Sequence, residues 1–231
     1  MSGPLRSEGV RPAFYALTSG GWRDYVTLLH PPYTLWHLSY VAIGAALAPH
    51  LHWSLLGWTL LAFLLALGVG AHALDELRGR PLRTRIPTAV LVALAAVSVA
   101  AACAIGIAVA AERTWWLLAF VAAGAFLVVA YNLELAGGVL HTDLWFGLAW
   151  GAFPLLTAYF ASAERLGWAA AAGAAFAFCS SLGQRVLSTE VRFARRSAGD
   201  PSSTRAPERA LELLSLAFPL LAGALLLARA A

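Results

Sequence analysis

Three stretches of the chain carry nearly all of its costly polar residues. The first reads Gly70-Ala-His72-Ala-Leu-Asp75-Glu76. His72, Asp75 and Glu76 stand at i, i+3 and i+4, so on a helix they share one face. Two carboxylates with an imidazole can hold a divalent cation. Oxygen donors suit Mg²⁺, and the imidazole widens the choice to Fe, Mn or Zn. Arg78, Arg80, Arg83 and Arg85 follow directly. A basic run beside a carboxylate face is an anion site beside a cation site, and a diphosphate with its metal matches both. The same arginines would also serve as topology determinants at lipid headgroups, paired to Asp75 and Glu76. Spacing leaves both readings open.

The second stretch runs from Tyr131-Asn132 through Glu134 and Gly137-Gly138 to His141-Thr142-Asp143. The Gly pair breaks a helix, which would let Glu134, His141 and Asp143 fold back toward the same mouth and join a metal site. The alternative is a wet loop in which Thr142 or Asp143 caps the next helix. The third stretch is Gln184-Arg185-Val-Leu-Ser188-Thr189-Glu190. Gln184 with Ser188, and Arg185 with Thr189, are four apart and form two polar stripes. Arg185 lies about one turn inside its apolar run, where it either points at an anion or snorkels outward. Glu190 is the one clear acid of this stretch.

Helices in a membrane must position these groups. Of 231 residues, 60% are apolar and only 12% charged, with a mean hydropathy of +0.72. Soluble domains carry roughly 25% charged residues, so a soluble globule is excluded, as are a disordered chain and a disulfide-stapled module. Cys103 and Cys179 sit in separate apolar runs and suggest no disulfide framework. A bilayer-crossing helix needs about 20 apolar residues. Seven runs qualify: 34–49, 53–74, 87–110, 115–132, 144–163, 166–188 and 209–229. The expectation is an all-α, polytopic transmembrane bundle over 34–231, preceded by residues 1–33 with a loose start (1–12) and an interfacial amphipathic stretch. Pro154 and Pro219 should kink their spans.

No signal-peptide pattern opens the chain. Every basic residue is Arg, as GC-rich coding also produces, and 13 of the 16 fall on one side of the seven spans. That puts the N-terminus in the cytoplasm and the C-terminus outside, in the plasma membrane of what reads as a bacterial protein. Because the arginines sit in short loops, no nucleic-acid partner is expected. Almost all membrane-depth ionisable groups lie at the cytoplasmic ends, and such groups are usually functional.

With these residues in view, the chain resembles the UbiA superfamily of intramembrane prenyltransferases. His30-Pro31-Pro32 and the Gly44-Ala45-Ala46 patch stand where the family's first span has its Arg-Pro start and small-residue run. Asp75 keeps one position of the first acidic motif, with Glu76 beside it, followed by Arg83-Thr84-Arg85-Ile-Pro87. Tyr131 leads to Gly147-Leu-Ala-Trp150-Gly151-Ala-Phe153-Pro154, as in the family's fourth and fifth spans. The departures are Ala71, His72 and Gly79 at other acidic-motif positions, a second motif reduced to Glu190, and seven spans where nine are usual.

The resemblance implies transfer of a prenyl group from a polyprenyl diphosphate to an aromatic or lipid acceptor with Mg²⁺. Asp75, Glu76 and Tyr131 would be catalytic. Arg78, Arg83, Arg85, Asn132, Gln184 and Arg185 would bind substrate. His72, Glu134, His141, Asp143 and Glu190 would join Asp75 and Glu76 as metal ligands. Trp36, Phe63, Trp145, Trp150 and Phe153 are candidates to line the prenyl cavity. Two alternatives remain: a non-catalytic lipid- or pigment-binding accessory subunit, in a homo-oligomer or with a partner membrane subunit, and a His/carboxylate metal enzyme using Fe, Mn or Zn.

Overall fold

The computed structural model describes residues 12–196 and 202–230. Apart from Pro12, the expected loose start, with Arg6 and Arg11, lies outside the described residues. Among those described, every element is helical and no strand forms. After the short α1 (Trp22–Leu28) come α2 (Pro31–Leu47), α3 (Trp53–Leu77) and α4 (Thr88–Glu112). They are followed by α5 (Leu117–Asn132), α6 (Asp143–Ala163), α7 (Trp168–Arg196) and α8 (Ser202–Ala230). The seven apolar runs coincide with α2–α8, with shifted ends. α2 begins at Pro31 because proline's fixed φ and absent N–H fit a first helical turn, and α7 continues past its apolar run to Arg196. Four helices, α3, α4, α6 and α8, are long and apolar enough to cross a membrane. By length and composition this is a membrane protein.

Two of the long helices widen locally. Leu64–Ala71 in α3 and Gly147–Ala152 in α6 are π-helical. A π turn inserts an extra residue and rotates the next turns of the helix, so it sets the direction of His72 and Asp75 on α3. The second π turn also accommodates Pro154, which sits in the first turn of the α-helical segment Phe153–Ala163 rather than interrupting a regular ladder.

α2 is the hub of the bundle and packs on α8, α6, α3 and α7. Small residues permit these close approaches, as is usual between membrane helices. A Cβ at Gly44 of α2 would overlap the Leu155 carbonyl of α6, and one at Gly151 of α6 would overlap the Ala177 carbonyl of α7. Both obstacles are main chain and cannot rotate away. Gly44→Val is therefore expected to destabilise the protein by about 1–3 kcal/mol. Gly57→Ala, where nothing lies within 4 Å, should leave the detergent unfolding midpoint almost unchanged.

Trp36, expected to line a cavity, instead belongs to the core. Its ring stacks on Phe218 of α8 at 4.5 Å between centroids. Its indole N–H donates to the Tyr40 oxygen at 2.6 Å. The Ser181 hydroxyl of α7 donates to the same oxygen at 3.3 Å. This chain of bonds ties α2, α7 and α8 together at mid-depth.

Candidate functional site

The candidate site residues gather at the arginine-rich end of the bundle, and their frame is the loop between α3 and α4. Glu76 is fully buried and accepts three hydrogen bonds from that loop. They come from Leu82 N–H at 3.0 Å, Thr84 N–H at 2.9 Å and the Thr84 hydroxyl at 2.8 Å. Arg80 staples the loop's far side, donating to the Ile86 carbonyl at 2.6 Å and the Thr88 hydroxyl at 3.1 Å. Asp24 of α1 is also buried and accepts from Arg85 N–H at 2.8 Å and Gly20 N–H at 2.9 Å. Leu82, Thr84 and Ile86 are buried while Arg83 and Arg85 between them are exposed. Arg78 pairs with Glu134 at 2.7 Å. That hydrogen bond holds the Glu134 carboxyl below its ordinary pKa. The carboxylate–arginine stretch of the sequence thus resolves into loop architecture and one ion pair, with Asp75 left over.

Asp75 is half-buried, and its side chain has no hydrogen bond or ion pair among the described residues. Its electrostatic neighbours are His141, Glu76, Arg192 and Glu134. Arg192, on α7, is in turn within reach of Tyr33, Asp75, Tyr15 and Arg185. Arg185 turns inward rather than snorkelling. Its Nε donates to Asp143 at 2.6 Å and its Nη1 to the Tyr131 oxygen at 2.9 Å. The guanidinium lies 5.2 Å over the Phe146 ring. His141 Nδ1 donates to the Tyr131 carbonyl at 3.1 Å, and its ring lies 4.4 Å from the Tyr131 ring, with Trp150 at 4.8 Å on the same tyrosine.

Helix capping before α6 falls to Thr142, whose hydroxyl accepts from Trp145 N–H. This leaves Asp143 for Arg185. Asn132 is buried and donates back to the Val128 carbonyl of its own helix at 2.7 Å. Gln184 is buried, with Oε1 unpartnered. Glu190 is exposed, and at 100° per residue it stands about 160° from Arg192 around α7. Among the described residues no three His, Cys, Asp or Glu side chains converge on one point.

Several site residues escaped the sequence reading. Tyr15, in the segment before α1, meets His30 Nδ1 at 2.9 Å. The His30 ring stacks on His72 at 4.0 Å, 11° from parallel. His72 Nε2 lies 3.3 Å from the Thr34 oxygen, and Thr34 gives its own proton to the Leu29 carbonyl. Thr34 therefore accepts, and His72 carries its proton on Nε2. His37, one turn further along α2, is buried with Nδ1 unpartnered. The signal for these was the spacing 30, 34, 37, which runs across the Pro31-Pro32 boundary. Arg192 was legible as two turns from Arg185.

Burial, with Arg192 and His37 nearby, pushes the His30 pKa down to about 3. Burial first, then Tyr33 and Asp75, push the Tyr15 phenol well up. His30 is neutral in the fold, while the unfolded chain takes up its proton below about pH 6.5. Its stability contribution is complete above that pH and is lost as pH falls toward 3. Between pH 7.5 and 5.5 the wild type should lose about 1 kcal/mol more than His30→Gln, read from unfolding midpoints at each pH.

Between α3, α4, α5 and α6 lies a half-open apolar cavity of about 100 Å³. Phe63, Leu67, Val128 and Phe153 line the part toward the mouth, and Val128 is one turn from Asn132. Phe63 and Phe153, candidates for a prenyl cavity, both line this apolar one. Trp150 instead is buried against Tyr131. No protein-family model, curated protein or solved structure matches the chain. The site is therefore read from its own geometry.

Proposed function

We propose that the protein is a UbiA-like intramembrane transferase with seven spans and the arginine-rich end in the cytoplasm. On this reading it moves a prenyl group from a polyprenyl diphosphate to an aromatic or lipid acceptor. One observation carries the reading. An acid without a side-chain bond, Asp75, has Arg192 among its electrostatic neighbours at the polar end that also carries the Arg185–Tyr131 pair, in a bundle whose α3–α6 line an apolar cavity. An amphiphile with an anionic head and a hydrocarbon chain has the matching polarity.

Mg²⁺ enters as part of the substrate. It commonly keeps its waters and takes one or two carboxylates besides phosphate oxygens, and Asp75 is the carboxylate at the mouth without a partner. Glu76, Glu134 and Asp143 are engaged elsewhere, so the donor set fits a metal borne by the diphosphate better than a resident one. Arg192 and Arg185 would balance the phosphate charge. Arg185 donates to the Tyr131 oxygen, so the phenol's own proton remains to be donated to a phosphate oxygen. As the allylic C–O bond breaks, its electron pair leaves with the diphosphate, and these donors stabilise that charge. The acceptor then bonds the allylic carbon and releases a proton.

Engagement of those three acids equally favours a second reading, a lipid-binding accessory subunit of a membrane complex. Thermal unfolding with geranylgeranyl diphosphate separates the two. A transferase should be stabilised by about 2.7 kcal/mol at a hundredfold excess over Kd, more with Mg²⁺ than without, and should release diphosphate when an acceptor is added. Binding without release supports the accessory subunit. Absence of any shift over several chain lengths overturns the transferase.

A further inference from the structure

α5 is too short to cross a bilayer unaided. Its 16 residues, Leu117–Asn132, rise about 24 Å, against a hydrocarbon core of about 30 Å. Exposed tryptophans mark where it starts. The starts of α3, α5 and α7 lie at one end of the bundle, where Leu55, Leu117 and Ala161 cluster and Tyr159 packs with Ala170. Trp115 and Trp116 precede α5 at 65% and 76% exposure, and Trp53 and Trp168, which open α3 and α7, are exposed as well. A ring of this kind marks a membrane–water boundary. Measured from it, α5 ends about 6 Å short of the opposite boundary. The segment after α5 therefore starts at hydrocarbon depth.

The chemistry of that segment agrees with its depth. Leu135, Val139 and Leu144 are 45%, 62% and 56% exposed. Both of its acids are held by arginines of neighbouring elements, Glu134 by Arg78 at 2.7 Å and Asp143 by Arg185 at 2.6 Å. The main chain turns tightly, with left-handed φ at Glu134, Ala136, Gly137 and Gly138, and bonds to itself. Glu134 N–H donates to the Tyr131 carbonyl at 3.2 Å, Gly138 N–H to Glu134 at 2.9 Å and His141 N–H to Gly138 at 2.8 Å. Backbone that leaves water needs such internal partners. We infer that residues 133–144 lie in the leaflet on the arginine-rich side, at the boundary of headgroups and acyl chains, with Leu135, Val139 and Leu144 against lipid. The partner of this surface is the leaflet itself, so lipid rather than water flanks Tyr131 and His141 on the α5–α6 side. The inference rests on α5 spanning the membrane and on no reaction.

The test uses the full chain in vesicles of phosphatidylcholine and phosphatidylglycerol at low protein density. Cys103→Ala and Cys179→Ala remove the native thiols, and a spin label is attached at Leu135→Cys, Val139→Cys or Leu144→Cys. Collisions with oxygen, which concentrates in lipid, are compared with those of a water-soluble nickel chelate. Oxygen should dominate at all three positions, and the chelate at Arg85→Cys on the exposed side of the α3–α4 loop. Chelate access at 135, 139 and 144 equal to that at 85 means a wet loop and overturns the inference. Low access to both reagents also overturns it, because another protein then covers the patch. A label at Ala123→Cys, exposed in the middle of α5, separates the causes of failure. Chelate access there removes the span and the inference with it. Oxygen access there, with wet labels at 135–144, removes the inference alone. Should the cysteine-free background fail to fold, carbene labelling of the wild type from a diazirine dissolved in the bilayer decides. Modification within 133–144 should exceed that within 79–85, and equal yields overturn the inference.

Discussion

Glu76→Gln is expected to weaken the resting protein more than any other single change at the arginine-rich end. The carboxylate is fully buried and accepts from two backbone N–H groups and one hydroxyl. Hydrogen bonds to a charged acceptor contribute about 1.5–3 kcal/mol each. The amide keeps one acceptor oxygen, but its NH₂ group faces a donor wherever it is placed. One N–H is thereby left buried and unsatisfied. The expected loss is about 3 kcal/mol, or roughly 6–12 °C in melting temperature for a chain of this size. The measurement is thermal unfolding without Mg²⁺ and without substrate. A Glu76 that serves chiefly as a metal ligand would show no such loss in that state, and a Glu76→Gln melting curve overlaying the wild type would refute the structural assignment.

Glu76 also marks where sequence reading reaches its limit. His72, Asp75 and Glu76 share a helical face only loosely: Asp75 and Glu76 are 100° apart, and their fates diverge completely. One acid turns to the loop and the other to the mouth. Nothing in the spacing says which, because the decision lies in the path of residues 78–87, with left-handed turns at Arg80 and Arg83. Apolar run length did foretell the helical rods, since bilayer thickness and hydropathy depend on composition alone. It also led to the arginine-rich end as the place of the polar groups. It did not foretell the π turns, which contain the closely packed Gly70 and Gly151. Nor did it reveal the docking of α1 through Asp24, a contact spanning 61 residues. Tyr15 and His30 were hidden for the same reason: residues 13–30 read as an interfacial stretch, yet Tyr15 and His30 pack against His72 of α3. Asp24→Ala should release that stretch, and faster proteolysis between residues 12 and 29 with α2–α8 still protected is the expected result.

The opposite behaviour is expected of Asp75→Asn. The side chain has no bond in the resting protein, so its replacement by a neutral isostere should shift the melting temperature by no more than the ~0.5 kcal/mol typical of a benign substitution. Its effect appears only with the ligand. A diphosphate carrying Mg²⁺ would lose its one protein carboxylate, while the repulsion between that carboxylate and a metal-free diphosphate would also vanish. Mg²⁺-dependent stabilisation should therefore collapse, metal-free binding should be unchanged or improved, and diphosphate release should fall by about 10²-fold or more. That range is the usual loss when one preorganised charge stabiliser is removed. Arg192→Ala should do the reverse, weakening binding with and without Mg²⁺ alike, because it meets the anion itself. The crossed pattern of the two variants distinguishes a cation-facing acid from an anion-facing arginine at one mouth. If Asp75→Asn and Arg192→Ala weaken binding in the same way and to the same degree, Asp75 acts through Arg192 and not on the metal.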